Sequence, residues 1–268
     1  MKITLTIDKL NIWREAITNW SELCVEMGCK RVCIPGGLLH TYNVDITGTF
    51  YNHILVQDPS NFSLKQTEEE TARRKIPFTV KIPKLRSYSK LEDSIQATEY
   101  TLLPVWNLMV FDAELTGECN PDVRVERADS NQFSEWIAAS TVGDLRHTET
   151  QREMIKRVCE KKSLHLLLAK LDNKPVGRGL LYIKDQVASI HMMSTIPEFR
   201  RKHVATTIVK HALNRLKNER IELTWLRTRK GGTGEKVYLK IGFKPILEIL
   251  TYTRTPNLDR SMTEQPYH

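Results

Sequence analysis

Residues 194–213 read STIPEFRRKHVATTIVKHAL and join an apolar β-like run to a strongly periodic helix across three cationic side chains and a histidine. Val204, Ile208, Ala212, Leu213 and Leu216 recur every three or four residues, so the spacing predicts a helix over 203–217 with one apolar face. Free backbone N–H groups and the positive end of the helix dipole converge at its first turn, directly after Arg200, Arg201 and Lys202. Such a strand-to-helix junction suits a pyrophosphate, although the stretch taken alone also reads as a solvated basic loop.

Working outward, three strands at hairpin spacing precede this junction: LHLLLAKL (164–171), VGRGLLYIK (176–184) and VASIHMMS (187–194), turned at DNKP and around Asp185. Before them come strand VRVERA (123–128), an N-cap at Asp129 or Ser130, helix NQFSEWIAAST and a second helix over about 147–162. After the central helix, strand IELTWLRT (221–228) leads through RKGGTGEK into a short helix carrying VYLKIGF and a last strand around 245–254. The first half alternates a helix (10–27), a Gly-containing loop with strand fragments, strand 53–57, helix 67–75, strand 78–82, helix 91–103 and strand 107–115. That alternation predicts an α/β layer, and the whole chain reads as mixed α/β. TGECNPD (116–122) gathers Gly, Asn, Pro and Asp between apolar segments, which predicts two domains, 1–118 and 119–256, with a frayed tail at 257–268.

Composition narrows the function class. Forty Lys and Arg against 32 Asp and Glu give a net charge of +8, which favours anionic partners without choosing among them. The aromatic and basic interleaving of RNA-binding modules is missing, so nucleic acid is not the expected partner. Five cysteines at 24, 29, 33, 119 and 159 follow no zinc or redox spacing, which predicts a reducing compartment and no metal. Charges at Lys2, Asp8, Lys9 and Arg14 interrupt any signal-peptide core, and no apolar run reaches membrane-spanning length. A cytoplasmic location without membrane attachment is therefore expected, and a homodimer stays open.

Residues 195–205, TIPEFRRKHVA, resemble the GCN5-related N-acetyltransferase (GNAT) family, where a central strand ends in V-x-P-x-x-R and R/Q-x-x-G-x-G/A opens the helix that cradles coenzyme A pyrophosphate. Arg200 and Ala205 match, and His203 stands where the family has its first glycine. Downstream, YLKIGF (238–243) is similar to the family's Y-x-K-x-G-F, with Gly242 ending the short helix. The resemblance implies a GNAT fold over the C-terminal half and acetyl transfer from acetyl-coenzyme A to a small-molecule or peptide amine. It implies pyrophosphate binding by Arg200, Arg201, Lys202, His203, Val204, Ala205 and Thr206, and pantetheine contacts from the Met193 and Thr195 amides. Gly231 and Gly234 fall where the family often has Asn and Ala.

Tyr238 takes the general-acid place in this resemblance. Ser189 and His191 share a strand face, and they occupy places similar to the paired strand histidines of arylalkylamine N-acetyltransferases. His191 is then the candidate base. The first half resembles the degenerate N-terminal portion of two-part family members: FTV (78–80) runs into KIPKLRSYSK without a phosphate-binding turn, so one coenzyme site is expected. A catalytically silent acyl-coenzyme A binder is the alternative reading.

Overall fold

The computed structural model describes residues 8–41, 52–74, 78–140, 159 and 161–254. The described residues fall into two compact units, one drawn from 8–107 with 246–254 and one from 108–245. Among the described residues no helix is long and apolar enough to cross a membrane, and the five cysteines form no disulfide with one another.

In the first unit, helix α1 (Lys9–Glu26) starts where the Asp8 carboxylate accepts from the N–H groups of Leu10 and Asn11. Its buried face carries Trp13, Ile17, Trp20 and Cys24 at helical spacing. Strands β1 (Lys30–Ile34), β2 (Gly37–Thr41) and β3 (His53–Val56) pair antiparallel in sequence. Helix α2 (Leu64–Arg74) then connects β3 to β4 (Thr79–Pro83), which pairs parallel to it. Helix α3 (Ser89–Gln96) is shorter than the periodic run 91–103 suggests. Thr101–Leu102 forms strand β5 on the C-terminal strand, and the Leu103 N–H donates to Thr251 O at 2.8 Å. Pairing with a neighbouring strand here overrides local helix propensity.

The second unit contains β6 (Trp106–Phe111, from Leu108 onward), β7 (Arg124–Arg127), α4 (Phe133–Ala138), β8 (Leu164–Leu171), β9 (Lys174–Lys184) and β10 (Val187–Thr195). Then follow α5 (Val204–Leu216), β11 (Leu223–Arg229), α6 (Thr233–Ile241) and β12 (Phe243–Thr253). Only the first residues of β12 belong to this unit. The strand order β6-β11-β10-β9-β8-β7 is antiparallel from β7 to β10, whereas β10 and β11 run parallel. The expected helix over 147–162 lies outside the described residues, which there include only 159, 161 and 162.

Asp172 and Asn173, with φ of 49° and 61°, make the tight turn between β8 and β9, as two-residue hairpins require. The glycines of VGRGLL serve a different purpose. A Cβ at Gly177 would lie 2.8 Å from Val204 Cγ1, and one at Gly179 would lie 2.7 Å from Met193 Sδ and 3.1 Å from Ile208 Cγ2. Their absence lets α5 settle close onto β9 and β10, burying Val204, Ile208, Val209, Ala212 and Leu213.

TGECNPD lies inside this second unit. Thr116 Oγ1 donates to Lys240 O at 2.8 Å, Lys210 Nζ to Gly117 O at 3.0 Å, and the Asn120 N–H to Thr207 Oγ1 at 3.0 Å. The turn residues therefore strap the C-terminus of α6 to the first turns of α5.

Candidate active site

The site starts from the end of the parallel ladder. Strands β10 and β11 pair from Val187–Leu223 to Ile190–Leu226, and β10 then shifts register against β9 between His191 and Ser194. Met192 has φ of 51°, and Met192 and Met193 together oppose Gly179, which makes a β-bulge. Beyond it the Ile196 N–H donates to Val176 O at 3.0 Å, so the alternating antiparallel ladder turns the Thr195 N–H away from β9, toward the gap beside β11. Trp136 holds this region from the α4 side: its indole N–H donates to Leu167 O and Gly179 O at 3.1 Å each, and the Arg178 guanidinium stacks 4.3 Å from its ring.

The chain then makes a 3-10 turn at Pro197–Phe199 and enters α5 through alternating left-handed residues, Arg201 with φ of 60° and His203 with φ of 56°. His203 is the N-cap and makes no side-chain capping bond. The first intrahelical bond is Thr207 N–H to His203 O, which leaves the N–H groups of Val204, Ala205 and Thr206 without helical acceptors. Successive amides in such a turn form an anion-binding concavity. Arg200 contributes a buried Nε with no hydrogen-bond partner among the described residues. These groups fit a pyrophosphate. Lys202 Nζ rests 5.1 Å over the Phe199 ring, and the exposed His203 imidazole reaches Glu118 at 3.6 Å.

His203 thus occupies the left-handed position that a glycine would fill without strain. Its backbone is braced by the strap: Thr207 Oγ1 donates to His203 O at 2.9 Å, and Asn120 Nδ2 donates to Lys202 O at 3.1 Å. Its side chain points to a carboxylate on that strap. Asn120, Glu118 and Thr207 escape sequence reasoning because their partners lie over 80 residues away and turn composition alone suggests a boundary.

On the opposite face of β10, Ser189 and His191 do share a side. Ser189 is fully buried and sits in register with Tyr182 and Trp225. His191 is 5% exposed, lies edge-on to Trp225 at 5.4 Å, and its buried Nε2 has no hydrogen-bond partner among the described residues. Burial, with a smaller push from Arg227, lowers its pKa to about 3. The imidazole is therefore neutral at ordinary pH, as a base must be, yet it holds a proton too weakly to accept one outright from an ammonium group.

Tyr238 sits on α6, buried in the cluster that includes Ile190 and Leu226, the last ladder pair, and its ring meets Phe243 edge-on at 6.0 Å. Burial pushes its phenol up, so it carries its proton throughout the working range. Gly242, with φ of 117°, ends the helix by donating to Tyr238 O and Leu239 O at 3.2 Å each. The Gly231 N–H is taken by Glu235 Oε2 at 2.6 Å, whereas Gly234 lies in the first turn of α6, beside Thr228 and Tyr238. Of the two glycines, only Gly234 keeps an amide open to a ligand by helical geometry. Among the described residues no His, Cys, Asp and Glu group could hold a metal ion.

Residues 130–243 match the sequence model of the acetyltransferase (GNAT) family. No curated protein matches the sequence. Among solved structures, a GCN5-related N-acetyltransferase from Kribbella flavida is similar over 94% of this chain and 97% of its own, at 14% identity and a TM-score of 0.68. A GCN5-related N-acetyltransferase from Sphaerobacter thermophilus aligns over 92% of this chain and 87% of its own, at 12% identity and a TM-score of 0.59. A tandem GNAT protein from the clavulanic acid biosynthesis pathway aligns over 82% and 80%, at 12% identity and a TM-score of 0.57. Identities this low show the fold. The general reaction of that family is acyl transfer from acetyl-coenzyme A, and it is residues 130–243 of this chain that are similar to it.

Proposed function

We propose that the protein is an acetyl-coenzyme A-dependent N-acetyltransferase that moves the acetyl group to a primary amine, on a small molecule or peptide, by direct attack. The observation that supports this most is the continuity of β10 into α5. One segment offers an amide turned into the open gap at Thr195 and, about ten residues on, an uncapped helix N-terminus in a basic turn. When bound, acetyl-coenzyme A supplies an activated thioester carbonyl and a thiolate leaving group.

The Met193 and Thr195 amides hold the pantetheine arm and polarise the carbonyl. The N–H groups of Val204, Ala205 and Thr206, with Arg200, Arg201 and Lys202, hold the pyrophosphate, and His203 stays with Glu118 at the rim. Gly234 adds an amide beside Tyr238, whereas the Gly231 amide serves Glu235. Tyr238 gives its phenolic proton to the departing sulfur. His191 accepts a hydrogen bond from the incoming amine, directly or through water, and water carries the proton away. Ser189 packs behind His191 as a positioning neighbour. Residues 119–256 form the catalytic domain, and residues 1–118 a degenerate partner without a second coenzyme site.

A silent acyl-coenzyme A binder is favoured by one observation, His203 held left-handed at the phosphate turn in the place of the motif glycine. Calorimetry with coenzyme A, run beside a thiol-release assay on a broad amine panel, separates the two. Binding with turnover on any amine supports the enzyme. Binding without turnover across the panel refutes it and leaves the binder.

A further inference from the structure

A second basic cavity lies at the other end of α5, outside the groups used for acetyl transfer. It encloses about 190 Å³ and is lined by Arg127, His165, Leu167, Leu181, His211 and Arg215. Pairing in the sheet builds it: Arg127 on edge strand β7 faces Leu167 on β8, and His165 on β8 faces Leu181 on β9. His211 and Arg215, one helical turn apart on α5, close it from above.

Among the described residues only one of the two arginines, Arg215, meets a carboxylate. Arg127 Nη2 donates to two backbone carbonyls, Lys161 O and Leu164 O at 3.0 Å each, which fix the guanidinium without neutralising it. Arg215 meets Glu219 at 2.8 Å through one nitrogen, leaving the rest of its fork. His165 is 8% exposed and makes no hydrogen bond to the described residues, although it lines the cavity. Burial and the charges of Arg127 and Arg215, opposed by Glu219, lower its pKa to about 4, and burial lowers that of His211.

Two guanidiniums repel a metal ion, and two neutral imidazoles offer N–H donors without adding charge. We propose that this cleft binds a small oxyanion, a phosphate or carboxylate group, between the Arg127 and Arg215 guanidiniums with N–H donation from His165 and His211. An oxyanion would satisfy the unpartnered imidazole and the unneutralised guanidinium together. The site lies roughly 15 Å along α5 from the phosphate turn, ten residues at ~1.5 Å each, and stands independently of acetyl transfer.

Histidine side-chain NMR of the full-length protein reads this site directly, with low-millimolar sodium phosphate and sodium succinate as two arms against sodium chloride of equal ionic strength. The expected result is a saturable shift of the His165 and His211 resonances in at least one arm, and the responding arm identifies the anion class. His203, at the far end of α5, reports separately on anions entering the phosphate turn. Arg127→Gln with Arg215→Gln should weaken the apparent affinity at least five-fold. Arg215→Gln alone, whose exposed side chain meets Glu219, keeps the test available if the pair disturbs folding. Absence of a saturable shift beyond chloride, or unchanged affinity in the variants, overturns the proposal.

Discussion

The protonation of His191 gives a prediction with a definite sign and slope. An unfolded histidine titrates near 6.5, whereas burial holds the folded imidazole down to about 3. The folded state therefore favours the neutral form, and below pH ~6.5 the unfolded chain takes up a proton that the native chain does not. The associated stability is complete above pH ~6.5 and is lost as pH falls toward about 3, at ~1.4 kcal/mol per pH unit inside that window. His165 in the same unit, lowered to about 4, adds a second proton, for ~2.4 kcal/mol per pH unit from these two around pH 5.5, and His40, also lowered to about 4, and His211, lowered by burial, add to the slope in the same direction. Urea denaturation between pH 5 and 7.5, followed by tryptophan fluorescence, measures this slope. His191→Gln should lower the slope by ~1.2 kcal/mol per pH unit at pH 5.5. Any packing loss moves the intercept alone, because the slope counts protons. A variant slope equal to the wild-type slope would refute the reasoning. So would an acidic limb in the wild-type pH–rate profile near pH 6.5 that disappears in His191→Gln, since it would show a histidine titrating as an ordinary base.

Tyr238→Phe keeps the buried ring against Phe243 but removes the proton, so turnover in a thiol-release assay should fall by roughly 10²- to 10⁴-fold while calorimetric affinity for coenzyme A holds. Equal losses in both readouts would assign Tyr238 to binding. Charge reversal at Arg200 with Lys202 should weaken coenzyme A binding by about 2–4 kcal/mol by calorimetry, because charge-assisted bonds are replaced by repulsion, and unchanged affinity would move the pyrophosphate elsewhere. His203→Gly relieves a left-handed non-glycine residue and should stabilise the second unit by ~1 kcal/mol in urea, with coenzyme A binding unchanged or tighter. Gly177→Val drives a side chain into Val204 and the Ser194 carbonyl and should cost ~3 kcal/mol or more in the same assay, with coenzyme A affinity falling as α5 lifts from the sheet.

The order of elements was legible because it rests on local signals: hairpin spacing of the apolar runs β8 to β10, helical spacing from Val204 to Leu216, and a left-handed glycine after Tyr238. The free amides at the start of α5 were legible for the same reason, since helix ends leave amides free whatever surrounds them. Other features depend on contacts distant in sequence. The run TLL at 101–103 carries helical periodicity, yet its pairing with β12 makes it a strand edge. TGECNPD has the composition of a linker and works as a strap, because Asn120 and Gly117 find partners on α5. VGRGLL reads as an ordinary strand until Gly177 and Gly179 are seen beneath α5. His191 has the strand position of a base, but its depth was invisible in sequence, and depth sets its pKa.

The bulge connects these features. A strand that stayed regular past Ile190 would keep pairing with β11 and commit its amides to the ladder. Met192, held left-handed, ends that pairing one residue beyond His191, and the two residues opposite Gly179 shift the strand by one position. Gly179 is fixed from both sides of the sheet: its carbonyl takes the Trp136 indole N–H, while its missing side chain admits Met193 and Ile208. A regular strand at this point would return Thr195 to the opposite parity and turn its N–H back toward β9. The direction of the Thr195 amide, to which the proposed reaction assigns the thioester carbonyl, therefore depends on α4 and on Gly179. Trp136→Phe, which keeps the apolar ring but loses the donor to two carbonyls, should consequently lower turnover more than coenzyme A affinity. Equal activity in this variant would show that β10 holds its bulge without help from α4.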